Sequence, residues 1–297
     1  MKCLSSSLLI AVLFVPLLAF SQQHFPREIP AGNYSGICAL GSDRYAVVSD
    51  KSEEDGFFVF HIVVDSVKGR ITSIKNEGFR SCGKANSDLE AIGYCDDTKT
   101  LFIASEKNSE VKEYTLDGQL TGRQLQMPAV FKKIDKNYGI ESLTYDDSSK
   151  QFLLTTEHPL LGDSLHCVQA FDQDLKPTRR YLYKSDKPLS TKHIYGVSEI
   201  CAVGDGRLLV LERQVLIPPK KIGAQTRICI YETRLGEDIG LKKKLLKEFN
   251  TKLTLFDRSF GNYEAMCFVR PGLLLMMADS QNQYKGVLRD WFKIVKL

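Results

Sequence analysis

The chain predicts an all-β fold, a β-propeller of five blades with six as the alternative, and three observations carry that expectation. Strand-like apolar runs end on an acid five times: "YAVVSDK" (45–51), "LFIASEK" (101–107), "FLLTTEH" (152–158), "LLVLER" (208–213) and "LLLMMADS" (273–280). Successive acids, Asp50, Glu106, Glu157, Glu212 and Asp279, stand 51 to 67 residues apart. Each run is preceded by a polar turn and another apolar strand, while strong amphipathic helices are scarce. Repeats of this length with several strands per unit indicate propeller blades, none of which can bury its own faces alone.

The elements follow in chain order. Lys2, the apolar stretch Leu8 to Phe20 and the small residues Ala19 and Ser21 read as an export signal cleaved before Gln22. The expectation is therefore an exported protein, periplasmic or extracellular, with residues 22–297 forming a single propeller domain. No later stretch is apolar enough over a sufficient length to span a membrane. "FPREIPAG" (25–32) is expected to complete the last blade beside "VLRDWFKIVKL" (287–297) and so close the ring.

The repeats themselves are "YSGICALGSDRYAVVSDK", "SDLEAIGYCDDTKTLFIASEK", "NYGIESLTYDDSSKQFLLTTEH", "YGVSEICAVGDGRLLVLER" and "NYEAMCFVRPGLLLMMADS". Further strands follow them, for example "EVKEYTLDG" (110–118) and "HCVQAFDQD" (166–174). The basic run "LKKKLLKEF" (241–249) reads as a solvated outer strand or short helix. Net charge is a mild +4 with lysines scattered among acids, which argues against nucleic acid as a partner. Of the seven cysteines after the signal, Cys38, Cys201 and Cys267 lie in apolar runs and read as core. A Cys82–Cys95 disulfide stays open, and zinc is unsupported.

Counting outward from each turn sets Glu199 against Glu212, Glu90 against Glu106, Glu141 against Glu157 and Glu264 against Asp279, with Gly36 facing Asp50. Opposed residues on antiparallel strands share a face about 5 Å apart, and like charges there are destabilising. First strands line a propeller's channel, so these acids would ring a funnel mouth. Calcium, which takes several hard oxygen ligands, is the expected compensator. Asp50, Glu106, Glu157, Glu212 and Asp279 are the candidate metal ligands, and Glu90, Glu141, Glu199 and Glu264 the candidate catalytic acids. Lys107, His158 and Arg213, which follow the acids, are the candidate binders of a small anionic ester or phosphate. Inter-blade salt bridges are the bland alternative for any one pair. Serine-hydrolase, zinc-protease and phosphate-loop motifs are missing.

At "DLEAIGY", "NYGIESLTYDD", "GVSEICAVGDGRLLVLER", "NYEAMCF" and "ADSQNQYKG" the sequence resembles the phytase-like ("esterase-like activity of phytase") propeller family over nearly the whole mature chain. The resemblance implies a periplasmic or secreted propeller that hydrolyses esters or phosphomonoesters, with calcium in the funnel. The D-A-D-D-P-A-type signature of alkaline phytases is missing, Gly36 replaces an acid and Ser280 a base, which puts phytate itself in doubt. A calcium-dependent lactonase-like propeller and a non-catalytic ligand-binding propeller remain the alternatives. A monomer is expected.

Overall fold

A computed structural model describes residues 22–135, 138–280 and 288–297, the side chain of Lys84 excepted. The expected export signal and most of "SQNQYKG" lie outside the described residues. The first described strand is the short β1 (Gln22–His24). Blade one follows as β2 (Tyr34–Gly41), β3 (Arg44–Ser49), β4 (Glu54–Asp65) and β5 (Arg70–Ala85). Blade two is β6 (Leu89–Cys95), β7 (Thr100–Ser105), β8 (Glu110–Tyr114) and β9 (Leu120–Gln124). A 3-10 turn, Ala129–Lys133, leads to blade three: β10 (Ile140–Asp146), β11 (Gln151–Thr156), β12 (His166–Phe171) and β13 (Pro177–Tyr183).

Blade four has β14 (Ile194–Ala202), β15 (Arg207–Leu216), β16 (Gln225–Arg234), the short β17 (Gly240–Leu241) and β18 (Lys243–Lys252). Among the described strands only β17 leaves its own blade, pairing parallel to β13 and clipping blades three and four together. Blade five is β19 (Asn262–Arg270), β20 (Leu273–Asp279) and β21 (Trp291–Lys296), and β1 completes it as the outermost strand. The ring therefore has five blades, not six, and the N-terminal segment closes it through Gln22↔Lys293 and His24↔Trp291.

Local chemistry explains the hairpins. In the turn between β14 and β15, Asp205 (φ 54°) and Gly206 (φ 67°) both take positive φ, the conformation that suits strand twist and that Asp-Gly tolerates. The basic run becomes β18, a sheet edge whose exposed lysines discourage pairing with another chain.

The core lies between blades. Between blades five and one, Tyr34, Phe60, Met277 and Phe292 pack together with Phe25, whose ring stacks on Phe292 at 4.1 Å. Four similar clusters fill the other seams. Cys95 is a free thiol, so the Cys82–Cys95 disulfide is not formed. Among the described residues no helix is long and apolar enough to cross a membrane.

Candidate functional site

A β-bulge in the first strand of every blade sets the geometry of the funnel. The register slips between Tyr34 and Gly36, Leu89 and Ala91, Ile140 and Ser142, Val197 and Glu199, and Tyr263 and Ala265. A bulge inserts one residue that has no partner across the ladder. Those residues are Ser35, Glu90, Glu141, Ser198 and Glu264. The expected direct opposition of acids is therefore wrong. Asn262 faces Asp279, Val197 faces Glu212, and Gly36 faces Val48. Counting from the turn fails because it assumes a ladder without an inserted residue.

The same slip exposes the equivalent positions. One level holds Ser35, Glu90, Glu141, Ser198 and Glu264; the next holds Asp50, Glu106, Glu157, Arg213 and Asp279. In blade four the arginine, not Glu212, occupies the place that acids take elsewhere. Glu212 lies one residue off the ring, buried between blades three and four. There it accepts hydrogen bonds from Tyr183 Oη (2.5 Å), the Asp186 N–H (2.8 Å) and Lys243 Nζ (2.6 Å). Glu199 is likewise one position from the bulge. It accepts from Ser142 Oγ and the Ile200 N–H (3.1 Å), deeper among the channel strands, and burial raises its pKa well above the usual carboxylate range.

Arg213, 8% exposed, binds three of the acids. Nη2 lies 3.0 Å from Glu157 and 3.6 Å from Glu141, and Nη1 lies 2.9 Å from Glu264. Nη1 also donates to Asn262 Oδ1 at 3.1 Å. The guanidinium offsets the burial that raises the Glu264 pKa to about 7 and that also raises the Glu157 pKa. Glu141 is raised well above the ordinary value by burial, with Glu157 and Glu90 adding to it.

The opposite side of the funnel has no such guanidinium. Glu90 has no Lys or Arg nitrogen within 4.0 Å among the described residues. Burial pushes its pKa well up, reinforced by Asp50, Glu264 and Glu106. Asp50 is paired with Lys51 at 2.8 Å, but its Oδ1 is buried without a hydrogen-bond partner. Burial raises its pKa too.

Space for the long acids comes from glycines in the following blade. A Cβ on Gly139 would sit 2.3 Å from Glu106 Cγ, and one on Gly196 would sit 2.5 Å from Glu157 Cγ. The shorter Asp50 and Asp279 precede blades with Asp88 and Asn33 at that place, and Arg213 precedes Asn262. The glutamates thus cross the blade seam over glycine, and the Gly139 N–H donates to Glu106 Oε1 at 3.0 Å.

Asp88 is a residue the sequence reading missed. It lies 3.6 Å from Lys51 and 3.2 Å from Lys107, holding both bases at the rim. Its signal was the "SDLE" start of the second blade, one residue before the strand. His158 is stacked on Tyr138 (centroids 3.8 Å apart, 3° between planes) and its Nε2–H donates to the Tyr195 carbonyl at 2.6 Å. Burial lowers its pKa, which disfavours the charged ring. Beside the rim, between blades two and three, a cleft of ≈ 700 Å³ is lined by Asp88, Glu106, Lys107, Phe131, Lys132 and Asp135.

Calcium does not fit this arrangement as a preformed site. The oxygen donors suit it chemically, and the orphaned Asp50 Oδ1 would accept a cation. Yet Arg213 already compensates Glu141, Glu157 and Glu264. Among the described residues, no three His, Cys, Asp or Glu side chains are grouped closely enough to hold a metal ion.

The family described as phytase-like, esterase-like activity of phytase, matches residues 29–281. No curated protein matches the chain. The chain is similar to a DUF4221 protein of Bacteroides vulgatus (11% identity, 93% of this chain and 96% of that one, TM-score 0.42). It is also similar to the periplasmic gluconolactonase PpgL of Pseudomonas aeruginosa (11% identity, 89% and 70%, TM-score 0.41). A third likeness is to the Swd1 β-propeller domain of Myceliophteria thermophila (10% identity, 91% and 98%, TM-score 0.38).

Proposed function

This chain belongs to the phytase-like (esterase-like activity of phytase) family of β-propellers, and from that premise we propose that it hydrolyses small anionic esters or phosphomonoesters at the Glu90 side of the funnel. The observation that carries the reading is the unequal compensation of the carboxylates. Arg213 serves one half, while Glu90 sits deep among Asp50, Glu106 and Glu264 with no Lys or Arg nitrogen within 4.0 Å among the described residues, Lys51 acting on it only from farther off. A carboxyl group whose surroundings favour its protonated form is suited to act as a general acid.

The assignment of roles follows from charge. Glu90, whose carboxyl pKa burial pushes well up, donates its proton to the leaving-group oxygen as the C–O or P–O bond breaks. Glu106, at the wall of the cleft, accepts a proton from the water whose oxygen attacks the carbon or phosphorus. Lys51 and Lys107, placed at the rim by Asp88, face the anionic part of the substrate. Phe131 gives the cleft an apolar wall. No step is drawn through calcium. Export to the periplasm or outside the cell, where such substrates would be met, belongs to the same proposal.

The test is a screen of phosphomonoesters, carboxylic esters and lactones, with calcium and with chelator, on the wild type and on Glu90→Gln. Turnover of one class, reduced by about 100-fold or more in the variant, is expected for loss of a general acid. Tight ligand binding with no turnover on any class would make the protein a binding propeller instead.

A further inference from the structure

The cleft beside the rim has two unlike walls. Blade two supplies one, through the β7–β8 turn from Glu106 to Ser109. The Ser109 N–H closes that turn on the Glu106 carbonyl (3.2 Å), and Lys107 Nζ is held by the Asn86 carbonyl (3.1 Å) as well as by Asp88. The connection between blades two and three supplies the other wall. From it Met127, Pro128, Ala129 and Ile134 line the cleft, while Phe131 anchors the segment in the core between the two blades.

The apolar wall is already formed. Phe131 N–H donates to the Pro128 carbonyl (3.0 Å) and Ile134 N–H to the Phe131 carbonyl (3.1 Å), which makes the 3-10 turn. Gln126 N–H to the Leu175 carbonyl (2.8 Å) and Leu161 N–H to the Lys133 carbonyl (2.8 Å) pin both ends of the segment to blade three. Met127, Pro128 and Ile134 are half-buried and Ala129 is exposed, so each keeps surface that a ligand can cover. At ≈ 700 Å³ the cleft falls within the range of small-molecule sites, roughly 300–1,000 Å³. A phosphoryl or carboxyl group alone would fill a small part of it.

The chemistry of the walls selects what fills the rest. Pro128, Ala129 and Ile134 carry no side-chain hydrogen-bonding group, and Met127 only a weak thioether acceptor. Hydroxyls of a polyol laid on that wall would give up water without gaining a partner, which is costly. An apolar group there gains by leaving water. Asp88, Glu106 and Asp135 line the same cleft and repel a second anionic group on the ligand.

We propose that this wall is the specificity subsite, and that the substrate is an ester carrying one aryl or short acyl group, which lies along Met127, Pro128, Ala129 and Ile134. The proposal rests on the hydrolytic reading for placing the ester at Glu90 and Glu106. The subsite is continuous with that place, because Glu106 belongs to the carboxylate ring and also lines the cleft. Polyol phosphates and polyphosphorylated rings are poor substrates on this assignment.

The experiment joins binding to turnover. Calorimetric titration compares benzylphosphonate with ethylphosphonate, and phenylacetate with acetate. The aromatic member of a pair is expected to bind about tenfold more tightly or better. Kinetics compare benzyl phosphate with ethyl phosphate, and ethyl phenylacetate with ethyl acetate, and kcat/KM should show the same preference. Met127→Ser/Ile134→Ser, checked for an unchanged circular dichroism spectrum, should bring the ratio within each pair close to one. Ala129→Asn, at an exposed position, should lower the ratio several-fold even if the double variant fails to fold. A general loss of stability would weaken both members of a pair alike and leave the ratio unchanged. A binding preference without any turnover refutes the hydrolytic reading and keeps the apolar subsite as a ligand site. Turnover with equal kcat/KM within the pairs keeps hydrolysis and overturns the subsite. Equal affinities, binding of none of the four probes, or a ratio unmoved in the folded variants also overturns it.

Discussion

At the scale of single residues, Arg213 is the centre of the site. Replacing it by Met leaves Glu141, Glu157 and Glu264 buried without their counter-charge, which costs on the order of 3–5 kcal/mol. Urea unfolding at neutral pH measures it, and a loss below about 1 kcal/mol would mean that the three acids are already protonated. The raised carboxyl pKa values also set a pH dependence. A Glu264 that titrates near 4.5 when unfolded and at about 7 when folded binds more protons in the native state across that interval. The native state is therefore favoured below pH 4.5, and this contribution is lost as pH rises through about 7. Glu90 and Glu141 act in the same direction. Unfolding free energy should fall between pH 5 and pH 8 by about 1 kcal/mol or more, and Glu90→Gln should flatten the slope. A profile that rises over this range would contradict the burial of these acids.

At the scale of elements, the bulges and the seam glycines decide where functional side chains end up. Gly196→Ala would put a Cβ 2.5 Å from Glu157 Cγ and displace that carboxylate from Arg213, with a cost of about 1–3 kcal/mol. Thermal melts check the prediction, and an unchanged midpoint would show that the seam yields freely. Phe25 belongs to the same scale. It anchors the N-terminal segment against Phe292 and Tyr34, and Phe25→Ala should cost about 3–5 kcal/mol by emptying the closing seam. The hairpin motif made these strands legible at once. It hid the bulge, because an inserted residue leaves the turn and both apolar runs intact.

At the scale of the whole molecule, a ring of five blades brings residues from 34 to 280 to one mouth and gives the funnel its own internal cation. Because a ligand stabilises only where the folded state has a site for it, the melting temperature should be nearly the same in millimolar calcium and in chelator. A rise of several degrees with calcium would mean that Asp50, Glu90 and Glu106 close on the ion. The sequence by itself determined the propeller and the concentration of acids at one face, and it favoured five blades over six and closure by the N-terminal segment. Those features rest on local periodicity and turn chemistry, which repeat in every blade. Tertiary structure alone decided which residues form the ring: it replaced Glu212 by Arg213, sent Glu212 to Lys243 and moved Glu199 down the channel. A one-residue bulge changes which side chain faces the funnel, and whether a base neutralises its neighbours depends on contacts across blades, from Glu141 to Glu264, that lie far apart along the chain.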